Sequence, residues 1–143
     1  MQAIRIAIAD DHPIVIEGIH KLLMQQKQFD VIATYGSGAE LLKGLKKEQP
    51  DILLLDINFP DTTGNELARI ISKDYPALRI LVITSVENTY DIRDMIKNGC
   101  SGYILKSAPI DMLTEAIETI HKGEQFLAPE LKEQLLESML NPS

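Results

Sequence analysis

Apolar and polar positions change period repeatedly along this chain. Ile4–Ala9 is a short apolar run rich in β-branched residues, ended by Asp10 and Asp11. Val31–Thr34, Ile52–Leu55, Ile80–Thr84 and the shorter Gly102–Leu105 are runs of the same kind. None alternates cleanly between apolar and polar, which is the pattern of strands covered on both faces, as in a parallel sheet. Helical patterns lie between them. Pro13 opens one, with Val15, Ile19, Leu22 and Leu23 on a single stripe. Ser37 and Glu40 have capping-box spacing ahead of Leu41, Leu42 and Leu45, and Thr63 and Glu66 repeat it ahead of Leu67, Ile70 and Ile71. Thr89–Asn98 carries Ile92, Met95 and Ile96 and stops at Gly99. Pro109 opens a helix with Leu113, Ala116, Ile117 and Ile120 in 3.6-residue register, stopped by Gly123.

The sum is a β-α unit repeated five times. That alternation predicts a flavodoxin-like, doubly wound α/β fold with a five-stranded parallel sheet of order 2-1-3-4-5 and right-handed crossovers. Residues 1–123 form the predicted domain. Residues 124–143 read as a linker: a connector over Glu124–Pro129, then a helix over Glu130–Leu140 with Leu131, Leu135, Leu136, Met139 and Leu140 along one side. That stripe fits packing on its own domain as well as pairing with a second copy.

Composition narrows the classes. In 143 residues, 45% hydrophobic and 24% charged, there is the core of one globular domain, without disorder or collagen-like repeats. Cys100 is the single cysteine, so neither an intrachain disulfide nor a cysteine zinc cluster can form. This suits a reducing cytosol, the expected location. MQAIRIAIADD is too short in its apolar part for a signal peptide, and no window has the length of a membrane span. The net charge of −7, from 21 acidic and 14 basic residues, sets the chain against a nucleic-acid backbone. DNA contact is therefore expected only through a C-terminal domain absent from these residues.

The predicted topology gathers the chemistry. In an open α/β sheet, ligands bind at the carboxyl ends of the strands, at the switch point. Strand one ends in Asp10-Asp11 and strand three in Asp56; strand four ends in Thr84-Ser85 and strand five near Lys106. Three carboxylates in one crevice repel one another unless a cation intervenes, and a few hard oxygens with waters left over suit Mg²⁺. A divalent cation, a lysine and a hydroxyl around a carboxylate are what transfer of a phosphoryl group requires. Asp10 and Asp11 are adjacent, so only one can point squarely inward; Asp11 is expected to ligate directly and Asp10 through water or by orienting Asp11. His12, before Pro13, reads as a helix-start residue ahead of a metal ligand; His20 and His121 read as surface residues, and Cys100 as a small packed residue under a turn.

IAIADDHPIVIEGI, DILLLDINFPDTTGNE, ILVITS and GCSGYILKSAP together resemble the receiver domain of bacterial two-component response regulators. The nearest subfamily is the one carrying a LuxR-type helix-turn-helix, NarL/FixJ-like. The resemblance covers about residues 3–123. It implies that Asp56 accepts a phosphoryl group from a histidine kinase. Asp10 and Asp11 would hold Mg²⁺, joined by Asp56 and the backbone carbonyl of Asn58. Thr84 would bond the phosphoryl oxygen, Lys106 would pair with it, and Tyr103 would be the aromatic switch coupled to Thr84, rotating into space that Thr84 vacates. The chain would catalyse only its own phosphorylation and dephosphorylation, regulate transcription in its full context, and have a homodimer as a possible form. Phe59 replaces the family's usual methionine, Asp61-Thr62-Thr63-Gly64 varies the following loop, and Asn58 and Val86 occupy positions that tune water access. Two alternatives stay open. One is a free-standing receiver acting by protein contact; the other is a Mg²⁺-dependent phosphatase. The latter normally needs a second acid two residues after its nucleophile, where this chain has Asn58 or His12.

Overall fold

In the computed structural model, residues 2–85 and 92–140 are described. Six strands form one parallel sheet of order β2-β1-β3-β4-β5-β6. In chain order the elements are β1 (Ile4–Ala9), α1 (Pro13–Met24), β2 (Phe29–Tyr35), α2 (Gly38–Lys47), β3 (Ile52–Asp56) and α3 (Gly64–Asp74). They continue with β4 (Arg79–Thr84), α4 (Ile92–Lys97), β5 (Gly102–Leu105), α5 (Ile110–His121), β6 (Phe126–Leu127) and α6 (Pro129–Leu140). The first five strands have the predicted order. The sixth lies where the sequence reads as connector: Phe126 and Leu127 pair in parallel with Gly102 and Tyr103. Two residues are too few to show a period, so nothing in the local pattern announces them.

The unbroken apolar runs have a simple cause. Ile52 and Leu54 of β3 point to one face of the sheet and Leu53 and Leu55 to the other, and all four are fully buried. On one face they meet Leu23 of α1 and Leu113, Ala116, Ile117 and Ile120 of α5. The other face carries Leu41 and Leu45 of α2, Leu67 and Ile71 of α3, and Ile92 and Met95 of α4. Ala128, just before α6, and Leu131 in its first turn are also fully buried in this second cluster. The segment after Gly123 thus shares the core of what precedes it.

The helix signals work in half measure. Ser37 Oγ accepts from Glu40 N (3.1 Å) and Thr63 Oγ1 from Glu66 N (3.2 Å), as the spacing predicts. The glutamates do not return the bond to the cap: Glu40 accepts from Gly36 N (2.9 Å), and Glu66 pairs with Arg69. Pro109 sits one position before α5 rather than inside it. Gly99 and Gly123 take φ of +92° and +96°, the left-handed backbone that ends a helix. Thr89, Val86 and the terminal Asn141-Pro142-Ser143 lie outside the described residues.

Candidate functional site

The strand ends converge as the topology requires. Asp10 and Asp56 are almost wholly buried, at 3% and 1% exposure, and Thr84 at 1%. They are the buried polar residues of this sheet edge. Carboxylate oxygens of Asp10, Asp11 and Asp56 and a ring nitrogen of His12 lie within 4.8 Å of one another, so this acidic cluster can hold a metal ion. Asp56 Oδ2 accepts from Lys106 Nζ at 3.2 Å, and the same ammonium is 3.8 Å from Asp10 Oδ2. Lys106 is fixed by its own backbone, whose N–H donates to Thr84 O at 2.7 Å and draws the ends of β4 and β5 together.

One cation does not neutralise this crevice. Burial, then the neighbouring Asp10, pushes the Asp56 carboxyl above the usual carboxylate range, and Lys106, with the Asn58 backbone N–H, only partly opposes them. Asp56 Oδ1 and Asp11 Oδ1 are buried without a hydrogen-bond partner. Orphaned oxygens of this kind are costly unless something cationic faces them. The donor set, all hard oxygen apart from one imidazole, fits a small divalent ion.

The acidic pair divides its work. Asp10 Oδ1 accepts from His12 N at 2.8 Å and lies 2.9 Å from His12 Nδ1, so that oxygen is occupied. Asp11 Oδ1 also lies 2.9 Å from His12 Nδ1, without the alignment of a hydrogen bond. His12 holds the N-cap position of α1, yet its side chain makes no cap bond and turns back onto both carboxylates. Sequence reasoning placed it at the helix start and missed this contact. The signal was its adjacency to the acidic pair.

Thr84 Oγ1 donates to Ser85 O at 3.1 Å. Tyr103, expected to rotate inward, is already inside: the ring is 3% exposed and its hydroxyl donates to Cys100 O at 3.4 Å. It packs in the cluster that contains Ile92, Met95, Cys100 and Leu131, which gives a large apolar ring more contact than solvent would. Burial pushes its phenol well above the ordinary range and the Cys100 thiol up to about 12. Asn58 stands two residues beyond Asp56, and forms an isolated antiparallel bridge with Thr63 across the loop that leads to α3.

Comparison with known proteins agrees with this arrangement. The response regulator receiver domain family matches residues 6–118. The chain is 38% identical over 133 residues to the transcriptional regulatory protein LnrK of Bacillus subtilis, covering 93% of this chain and 60% of LnrK. It spans roughly three fifths of the length of the curated relatives it matches. Among solved structures, a LuxR-family two-component response regulator from Aurantimonas sp. SI85-9A1 superposes with a TM-score of 0.90 at 30% identity, over 98% of this chain and 100% of that one. The response regulator RcsB of Salmonella typhimurium, solved in a study of DNA interaction, gives 0.85 at 30% identity over 97% of this chain and 68% of its own. RcsB is also solved as dimers bound to DNA. A parallel sheet ending in an acidic cluster faced by a lysine, with these likenesses, makes this chain a member of the response regulator receiver domain family, of the LuxR-family type.

Proposed function

We propose that the chain is a phosphorylation-operated switch with Asp56 as phosphoacceptor. The observation that carries this is Asp56 itself: a buried carboxylate held by Lys106 on one oxygen and unpartnered on the other. An oxygen of Asp56 forms the O–P bond as the P–N bond of a donor phosphohistidine breaks, and the departing imidazole takes its proton from water. Lys106 pairs with the phosphoryl oxygens and Thr84 donates to one of them. Asp11, Asp56 and the Asn58 carbonyl would hold Mg²⁺, with Asp10 orienting through its contact with His12. When bound, the ion neutralises the acidic cluster and charge on the phosphoryl oxygens. Self-phosphorylation and self-dephosphorylation are the extent of its catalysis.

The donor is a histidine kinase. Ile14, beside the acidic pair, is 84% exposed, and a groove of about 270 Å³ between α1 and α5 runs up to Lys106. The phosphoryl group brings roughly two negative charges and strong acceptor oxygens, enough to bias the packing of Tyr103 against α4 through Thr84. In a longer protein the output is transcriptional, through a DNA-binding domain and a homodimer, in the cytoplasm. Among the described residues no helix is long and apolar enough to cross a membrane.

The test is incubation with acetyl phosphate and Mg²⁺, read by intact mass. Wild type gains one phosphoryl group and Asp56→Asn gains none. Equal labelling of the two would overturn the assignment, and many turnovers on a phosphate ester would favour the phosphatase reading.

A further inference from the structure

The loop from Asp56 to α3 is a tight turn. Gly64 N donates to Ile57 O at 2.8 Å, and Asn58 and Thr63 face each other as a bridge. From its tip Asp61 reaches a different element. Asp61 Oδ1 accepts from Gly38 N at 3.0 Å and Oδ2 from Ala39 N at 2.9 Å, so one carboxylate binds two first-turn amides of α2, 22 and 23 residues away in sequence. Those amides have no partner inside the helix, and the helix dipole favours an anion there. Both bonds hold the Asp61 carboxyl below the usual carboxylate range. The approach is close: a Cβ at Gly38 would lie 2.4 Å from Thr62 Cγ2 and 3.3 Å from Asp61 Oδ1. α2 is itself a fixed anchor, since Leu41 and Leu45 are fully buried.

Among the described residues, the Asp61 carboxylate bonds to α2 and to none of Asp10, Asp11, Asp56, Thr84 or Lys106. We infer that Asp61 is a positioning residue: by clamping the loop tip to the start of α2 it fixes the Asn58 carbonyl, and with it the affinity of the site for its divalent cation. This rests on the receiver reading above.

A control lies in the same helix. Ser37 caps α2 through Glu40 N and has no bond to the loop among those described. Its loss weakens the helix start without releasing the clamp. The experiment titrates Mg²⁺ into the full 143-residue chain by calorimetry, and separately measures phosphorylation by acetyl phosphate against Mg²⁺ concentration. Wild type, Asp61→Ala, Asp61→Asn and Ser37→Ala are compared. Asp61→Ala should raise the half-saturating Mg²⁺ on the order of tenfold in both readouts, the usual effect of losing an outer support of a metal ligand. Its rate at saturating Mg²⁺ should approach wild type. Asp61→Asn keeps one oxygen acceptor and should fall between. Ser37→Ala should lower the melting temperature and leave the Mg²⁺ curve in place. An Asp61→Ala curve superimposed on wild type overturns the clamp, as does an equal shift in Ser37→Ala. If Asp61→Ala does not fold, Asp61→Asn decides by the same comparison. Wild type that neither binds Mg²⁺ nor takes phosphate removes the receiver reading and the clamp with it, whereas a normal wild type with an unmoved Asp61 variant removes the clamp alone.

Discussion

Asp56 is held in an unfavourable state. Its carboxyl is raised by burial first and by Asp10 second, with Lys106 opposing. A carboxyl with a higher pKa folded than unfolded binds more proton in the native state. Stability contributed here therefore falls as pH rises from the unfolded value through the raised one, and is flat above it. Asparagine cannot ionise. With EDTA present, Asp56→Asn should be more stable than wild type at neutral pH by on the order of 1 kcal/mol, and the gain should vanish in acid. Denaturant melts at the two pH values measure it; equal stability throughout would mean that Lys106 and the Asn58 N–H together fully compensate. Cys100 offers a second check. A buried thiol pushed up to about 12 carries almost no thiolate, so an aromatic disulfide reagent should label it only at the rate of unfolding. Prompt labelling of native protein would contradict its burial. At this scale the sequence was a good guide to placement: Asp10, Asp11, Asp56, Thr84 and Lys106 stand at strand ends and gather on one edge of the sheet. It was poor for His12 and Asp61. Their contacts depend on how a backbone turns after Asp11, and on a bond spanning more than twenty residues; neither leaves a mark in the local pattern.

Among elements, the sheet's two covered faces were legible because each run of four or five apolar residues must bury both sides. What was hidden are the pins between elements. Arg79, at the start of β4, donates through Nη1 to Ile120 O (2.9 Å) and His121 O (2.6 Å) in the last turn of α5, where Ile120 O also accepts from Gly123 N at 3.0 Å. A guanidinium there also opposes the negative end of the helix. Arg79→Met keeps much of the apolar stem and loses both bonds. It should cost about 1.5–3 kcal/mol, the range for hydrogen bonds to a charged group, and speed amide exchange in the last turn of α5 beyond that of α3. Exchange that rises evenly over the molecule would place the loss elsewhere. The pattern shows Arg79 only as a polar residue before an apolar run, so its partner could not be read.

For the molecule as a whole, the parts beyond Gly123 belong to the architecture. Leu131 of α6 is fully buried beside Tyr103, so Leu131→Ala should cost roughly 2–5 kcal/mol. Leu140→Ala, 79% exposed in wild type, should cost next to nothing in the same thermal melt. A small, equal effect of both would mean that α6 is only loosely attached. Of this helix's leucine stripe, the first leucine lies in the core, while Leu136, Met139 and Leu140 are exposed. The two residues of β6 matter more than their number suggests. Phe126 N and Ala128 N donate to Ser101 O and Tyr103 O at 3.1 and 3.0 Å, which takes β5 off the rim of the sheet. An open rim of unpaired carbonyls on an apolar strand is a template for another chain, and a rim two residues long is a poor one. A fragment cut after Gly123 would leave β5 as that template. It should scatter light and bind thioflavin in a concentration-dependent way where the longer chain stays clear. The short strand that ties the C-terminal segment to the sheet is then also the guard against fibrous assembly.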